Sequence, residues 1–339
     1  MGLNYSVTNL YNEQAVVGIV NDKPQSISPL RSIIYGDVST PINGNVVGIK
    51  DLVKDIDNIP LSTDGSGYLV QGKKVATTSF FQPMEFKVLD AIQADDLLGL
   101  NYAIGKDRNA IFNELVAEKV DTYKKKIRHS IEVMISQQLI DDKISYWYKL
   151  QGATAVDVVD IDWDITAPTA TVVGVWGGAT KEIDDVIADL DAMSDSIDQS
   201  GYIDDKVVIM GKVAYATVKK MVSNLPNDNR NEAHNYPTHI EIDEYKIYKV
   251  KGRYKNLSSG AYSAYLPDNA IVMLETTTSG CKMMFCSIGN FKANFTNEQL
   301  WFDVLDTNNR GDAMDLIVHS RPLPFVNPAA KIYKANMIS

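Results

Sequence analysis

The sequence predicts a mixed α+β fold, and three observations carry that expectation. One stretch, from about residue 106 to 140, places apolar residues at three- and four-residue steps for roughly ten turns. Several shorter runs rich in Val, Ile and Tyr alternate or stay apolar over four to six residues, as strands do. The order of these segments contains no βαβ repeat, so a doubly wound parallel sheet is not expected. With 339 residues, 45% of them hydrophobic, the chain can bury a core in one large domain or two smaller ones.

Residues 1–45 carry weak periodicity and many polar or turn residues, such as Asn21-Asp22-Lys23-Pro24. They read as an extended arm with little core of its own, ordered only against a neighbour. Residues 46–49 and 68–70 flank the small polar cluster Ser62-Thr63-Asp64-Gly65-Ser66-Gly67, and Lys73-Lys74-Val75-Ala76-Thr77-Thr78 follows. That pattern predicts a long β-hairpin or extended loop, projecting because few large apolar residues hold it down. Phe80, Phe81, Pro83, Met84 and Phe86 form an apolar knot that marks the return to the body.

The helix predicted over 106–140 carries Ile111, Leu115, Val120, Tyr123, Ile127, Ile131, Met134, Ile135 and Leu139. At about 1.5 Å per residue it is a rod of roughly 50 Å, three times the mean helix. Its pattern does not continue as heptads, so it is expected to lie across a sheet. Residues 155–165 and 170–176 have strand character. Thr180 is the expected cap of a second helix, with Glu182, Asp184 and Asp185 near its positive end. Ile183, Val186, Ile187, Leu190, Met193 and Ile197 share a face of that helix, and Gly201 ends it. A buried strand over 206–210, a helix over 212–222, and a polar loop over 224–238 follow. Further strands are expected around Ile240, Ile242, Tyr245, Ile247 and Val250, over 270–274 and over 315–320.

No motif for catalysis is present: GxSxG, HExxH, GxGxxG and a complete GxxxxGK[ST] are all missing. Gly67 with Gly72-Lys73-Lys74 is a near miss whose last position is Lys where Ser or Thr should hold magnesium, so a hairpin turn is the plainer reading. Asp160, Asp162 and Asp164 fit the first ligand positions of a calcium loop, but Ile165 and Thr171 then replace the required Gly and Glu. Asp157 and these three therefore read as the polar edge of a strand. Cys281 and Cys286 are five apart, which puts them on opposite faces of a strand and unpaired. His234 and His239 could meet, but no cysteine stands near them. Lys124-Lys125-Lys126-Ile127-Arg128-His129 reads as a solvated helix surface, or else as a contact for an acidic patch on another subunit. No cofactor and no metal are expected.

The net charge is −10, and only seven of the 33 basic residues are arginine, so tight or sequence-specific DNA binding is not expected. No run of about 18 apolar residues suggests a membrane span, and the first residues lack the basic start and apolar stretch of a secretory signal.

Three motifs stand in order. The long helix ends in Ser130-Ile131-Glu132-Val133-Met134-Ile135-Ser136-Gln137-Gln138-Leu139. Tyr265-Leu266-Pro267-Asp268-Asn269 precedes the strand Ala270-Ile271-Val272-Met273-Leu274. His319-Ser320-Arg321-Pro322-Leu323-Pro324-Phe325-Val326-Asn327-Pro328 lies near the end. Together they resemble the tailed-phage major capsid proteins of the lambda-type capsid protein E family. The resemblance implies the Hong Kong 97-type phage capsid fold. It divides the chain into an N-terminal arm (1–45), an extended loop (46–90), a peripheral domain with a long spine helix (91–177), an axial domain (178–280) and a return to the peripheral domain (281–339).

It further implies a structural protein without enzymatic activity. Such a protein self-assembles into hexamers and pentamers of an icosahedral shell that encloses double-stranded DNA without sequence-specific binding. Assembly would take place in the bacterial host cytoplasm and end in the virion. No long helical stretch precedes the arm, so scaffolding would come from a separate protein, with a portal and a decoration protein as further partners. The inter-subunit contacts expected on the loop are Asp64, Gly65, Gly67, Tyr68, Lys73 and Lys74. An encapsulin-like compartment shell is the alternative, and an acidic cytosolic enzyme with scattered site residues is a more distant one.

Overall fold

A computed structural model describes residues 13–22, 29–36, 38–50, 78–93, 95–96, 108–148, 156–163, 165–172, 175–178, 182–225, 233–277, 280–305 and 313–338. The described residues begin with two short helices, α1 (Glu13–Asp22) and α2 (Pro29–Ile34). Strands β1 (Thr40–Ile42), β2 (Val47–Lys50), β3 (Thr78–Phe81) and β4 (Phe86–Gln93) precede the spine helix α3 (Arg108–Asp141). Asp142, with φ of +59°, turns the chain sharply into β5 (Lys143–Tyr148), which pairs with β6 (Asp157–Asp162). An α/β section follows: α4 (Ile183–Gln199), β7 (Lys206–Met210), α5 (Lys212–Ser223), β8 (Ala233–Asn235), β9 (His239–Ile242) and β10 (Tyr245–Lys249). The strands that follow are β11 (Arg253–Lys255), β12 (Tyr262–Ala264), β13 (Ile271–Glu275), β14 (Cys281–Cys286), β15 (Trp301–Leu305), β16 (Ala313–Ser320), β17 (Pro322–Val326) and β18 (Lys331–Lys334), with a single 3-10 turn at Pro328–Ala330 between the last two.

The largest sheet has the order β18-β13-β7-β10-β9-β8, antiparallel except for the parallel pair β7 and β10. Its central strands read as unbroken apolar runs because both faces are covered. Val208 and Met210 of β7, with Ile271 and Met273 of β13, point into a cluster with Leu190 and Met193 of α4 and Val218 of α5. Their alternates Ile209, Val272 and Leu274 point the other way, into the cluster built on the spine helix. The antiparallel sheet β15-β16-β4 packs Ile92, Phe302, Val304, Leu316 and Val318 into that same cluster, against Phe112, Val116, Val120 and Ile127 of α3. A third sheet, β1-β14-β17, places Cys281 and Cys286 in different clusters, as opposite faces of one strand require.

The spine helix is half-solvated over its first turns but buried on every side from Ile131 to Leu139. A helix enclosed all round is expected to be apolar all round. Here Glu132, Ser136, Gln137 and Gln138 interrupt the apolar residues, and each meets a backbone group of another segment.

Several expectations need correction. The picture of an extended arm without a core does not hold for residues 13–22 and 29–36. Val16, Val20, Leu30 and Ile34 are buried in the spine-helix cluster at spacings of four residues. Residues 170–172 and 175–176 form no strand beyond one parallel bridge of Trp176 to Ile338. The second helix starts at Ile183, and its cap residue is Glu182 rather than the expected Thr180; the Glu182 N–H donates to Asp185 at 3.0 Å. Gly201, with φ of +86°, closes that helix as expected. Residues 233–235, expected within a loop, form the edge strand β8. Strand β5 escapes a reading by periodicity because it follows the helix after a single turn residue.

Candidate functional site

The residues expected to make contacts on the extended loop, Asp64, Gly65, Gly67, Tyr68, Lys73 and Lys74, lie outside the described residues. So does the near-miss phosphate motif around Gly67 and Gly72. The two strands that bracket this segment are described, and they pair antiparallel from Val47 opposite Phe81 to Lys50 opposite Thr78. Their base is fixed by an aromatic ladder. Phe81 meets Trp163 edge-on at 4.8 Å between ring centroids, and Trp163 meets Phe325 edge-on at 5.0 Å. Val47 and Pro83 are buried beside it. The apolar knot expected around Phe81, Met84 and Phe86 thus locks the loop base to β6 and β17.

The three sequence motifs turn out to be the joints of the subunit. Glu132 is 3% exposed and accepts the N–H groups of Leu30 at 2.9 Å and Arg31 at 3.0 Å, which fastens α2 to the spine helix. The Ser136 hydroxyl donates to the Tyr265 carbonyl at 2.5 Å. Gln138 acts as a strand neighbour to β17, its Nε2 donating to Pro324 O and its Oε1 accepting the Val326 N–H, both at 2.9 Å. Lys331, 1% exposed, donates to the Gln138 and Leu139 carbonyls and ion-pairs with Asp142 at 2.8 Å, satisfying carbonyls that a helix end leaves open. Burial lowers the Lys331 pKa and the Asp142 charge works against that shift.

In the second motif the Pro267-Asp268-Asn269 backbone receives the start of α5. The Asp268 carbonyl accepts Val213 N–H at 2.9 Å and Ala214 N–H at 3.0 Å, and the Asn269 carbonyl accepts Met337 N–H at 3.1 Å. Only glycine fits at 211, because a Cβ there would lie 2.0 Å from the Pro267 carbonyl oxygen.

In the third motif His319 and Arg321 both hold Glu85, at 2.5 Å and 2.6 Å. Burial pushes the Glu85 carboxyl up, yet the His319 hydrogen bond and the Arg321 charge outweigh it and leave the pKa below its ordinary value. Ser320 Oγ donates to the Gln299 carbonyl at 2.6 Å. Asn327 caps the single turn after β17 through Ala329 N–H at 3.0 Å, and its Nδ2 donates to Tyr202 at 2.6 Å.

The remaining titratable candidates are structural. Asp160 pairs with Lys143 across the β5–β6 hairpin at 2.8 Å, and among the described residues no group of three His, Cys, Asp or Glu could hold a metal. His234 and His239 are separated by Tyr236, whose ring stacks on His239 at 4.8 Å. Burial pushes the Cys286 thiol up to about 11 and raises Cys281 further, so both stay protonated at neutral pH. Among the described residues no helix is long and apolar enough to cross a membrane.

Residue reasoning missed one surface feature. The basic run of the spine helix faces a half-open cavity of about 800 Å³, joined there by lysines from α5 and from the end of β10.

Residues 14–337 match the family model described as phage major capsid protein E. The chain belongs to that family. It is a capsid shell protein, and its place is the phage virion. The fold agrees: the putative capsid protein of an Escherichia coli CFT073 prophage superimposes with a TM-score of 0.60 at 14% identity, over 96% of this chain and 99% of that one. The capsid subunit of cyanophage A-1(L) gives 0.53 at 11% identity, over 99% and 97%. A phage-related protein of Bordetella bronchiseptica RB50 gives 0.52 at 11% identity, over 96% and 97%. No curated protein matches the chain in sequence. The architecture is the Hong Kong 97-type capsid fold, and the family and its structural relatives are structural proteins.

Proposed function

We propose that this capsid protein acts without catalysis. It forms hexamers and pentamers that close into an icosahedral shell around double-stranded DNA. Residues 46–90 serve as the extended loop, 91–177 as the peripheral domain with its spine, 178–280 as the axial domain, and 281–339 as the return. The observation that carries this reading is the anchored loop base. The 27 residues 51–77 connect two paired strands, and the base of that pair is pinned by Phe81, Trp163 and Phe325. A rigid base under a long excursion suits an arm laid over a neighbour, where contacts by Asp64, Gly65, Gly67, Tyr68, Lys73 and Lys74 add interface area. Residues 13–22 and 29–36 belong more to the subunit's own core, which leaves the reach between subunits chiefly to the loop.

Head-to-tail contacts of one repeated kind close into rings when their rotation permits. A separate scaffolding protein, a portal and a decoration protein are the further partners, and assembly takes place in the bacterial host cytoplasm. Deleting residues 60–75 tests the reading. A folded, soluble subunit that no longer forms shells in electron micrographs is the expected result, and normal particles would overturn it.

A further inference from the structure

The cavity beside the spine helix brings together Lys125, Arg128 and His129 of α3, Lys219 of α5, and Lys249 and Lys251 at the end of β10. Five fixed cations in one recess are unexpected in a chain of net charge −10. Glu132 is the carboxylate in the lining, and it is engaged with the Leu30 and Arg31 N–H groups. Lys125 shares its charge with Asp121 at 2.8 Å, and Lys249 lies over the Tyr215 ring at 5.6 Å. Among the described residues neither Lys219 nor Lys251 has a carboxylate in ion-pair range. The His129 ring is held by the Tyr265 hydroxyl at 2.6 Å. Such a recess attracts an anion, and the question is which one.

The opposite end of the same sheet supplies the answer. Strands β7 and β10 run parallel, with Lys246 beside Val207 and Lys249 beside Met210, so both C-terminal ends point toward the cavity. At their N-terminal ends stand Asp191 and Asp195 of α4, Asp204 and Asp205 before β7, and Asp243 and Glu244 in the β9–β10 turn, all exposed. Tyr245 donates to Asp191 at 2.9 Å and Lys206 to Asp198 at 2.6 Å, which fixes the acidic helix face over that end. At about 3.3 Å per residue the five-residue strands alone keep the two ends at least roughly 13 Å apart. Within one subunit the acidic end cannot fill the basic recess.

We propose that the cavity of each subunit receives the acidic end of a second copy, so that the sheet is a charge-polarised unit repeated head to tail around the capsomer. The proposal rests on the assembly reading and names a surface that reading leaves open. Opposed patches of this kind align partners and disfavour like-to-like docking. They also weaken as salt shortens the screening length from about 10 Å at 0.1 M to about 3 Å at 1 M.

The test is charge reversal, read by sedimentation velocity and electron microscopy. Lys219→Glu with Lys251→Glu should keep the circular dichroism spectrum and thermal midpoint of the isolated subunit while reducing capsomers and shells at least tenfold. Adding Asp204→Lys with Asp205→Lys in the same chain should restore them. Shells unaffected by the first pair overturn the inference alone. So does a loss that the second pair fails to restore, and binding of a labelled DNA duplex to the unaltered subunit would then identify a polyanion as the occupant. An unaltered chain that stays monomeric overturns the inference together with the assembly reading.

Discussion

Replacing Glu132 by glutamine should detach α2 from the spine helix without changing side-chain volume. The carboxylate is buried at 3% exposure and accepts two backbone N–H groups, from Leu30 and Arg31. Hydrogen bonds to a charged group contribute roughly 1.5–3 kcal/mol each, and an N–H left unpaired in the interior carries its own desolvation cost. Glutamine keeps one acceptor oxygen and turns an amide donor toward the other N–H. The loss is therefore about 2–3 kcal/mol for Glu132→Gln. For Glu132→Ala, which removes both acceptors and opens a cavity, it is about 3–5 kcal/mol. Because residues 29–36 are held to the core by this joint, by the buried Leu30 and Ile34, and by Tyr35, whose hydroxyl donates to the Phe325 carbonyl at 3.2 Å, the cost should appear first as local opening of this short segment. At about 1.4 kcal/mol per factor of ten, the Leu30 and Arg31 amides should exchange roughly 30- to 150-fold faster in Glu132→Gln. Native-state hydrogen exchange with a urea melt reads both effects. Exchange within threefold of the unaltered protein, with an unchanged urea midpoint, would refute the reasoning.

Other joints give sharper or slower failures. Lys331→Met leaves the last carbonyls of the spine helix and Asp142 without their cation, and should destabilise the subunit by roughly 3–5 kcal/mol in chemical denaturation. Gly211→Ala drives a methyl group to 2.0 Å from the Pro267 carbonyl oxygen, where only backbone can yield, so expression should shift from soluble to insoluble material. Asn327→Ala removes a buried cap and the partner of Tyr202, and should lower stability by roughly 2–4 kcal/mol. The folded Glu85 pKa lies below its ordinary 4.5, so its contribution is complete at neutral pH. That contribution is lost as pH falls below about 4.5 and through the folded value, and urea midpoints between pH 3 and 7 should flatten in Glu85→Gln.

How far the sequence could be read depended on the range of the forces that decide each element. The spine helix was legible because Ile111 through Leu139 repeat at helical steps along most of its 34 residues, and no local alternative competes. The buried strands β7 and β13 were legible as apolar runs, and the opposite faces of Cys281 and Cys286 followed from strand geometry alone. Helices α1 and α2 were not legible. Val16, Val20, Leu30 and Ile34 are too few to mark a helix, and the carboxylate that fastens α2 stands 102 residues away in sequence. Residues 170–176 have strand composition, but among the described ones the single bridge is Trp176 to Ile338, with the Trp176 N–H donating to the Met337 carbonyl at 2.7 Å, and the Trp176 ring is buried and donates to Asp189 at 2.8 Å. The joint of Glu85 with His319 and Arg321 spans more than 230 residues, so no spacing rule could propose it. The same limit hid the basic cavity: the run at 124–129 was visible as charge, while Lys219, Lys249 and Lys251 join it only through the fold.

A reconstruction of the assembled particle by cryo-electron microscopy tests the central claim most directly. The account predicts a closed shell of hexamers and pentamers in which residues 51–77 leave the Phe81–Trp163 base and lie over an adjacent subunit. A shell in which that segment folds back onto its own subunit, or a purified protein that forms no shell with its scaffolding partner present, would contradict it.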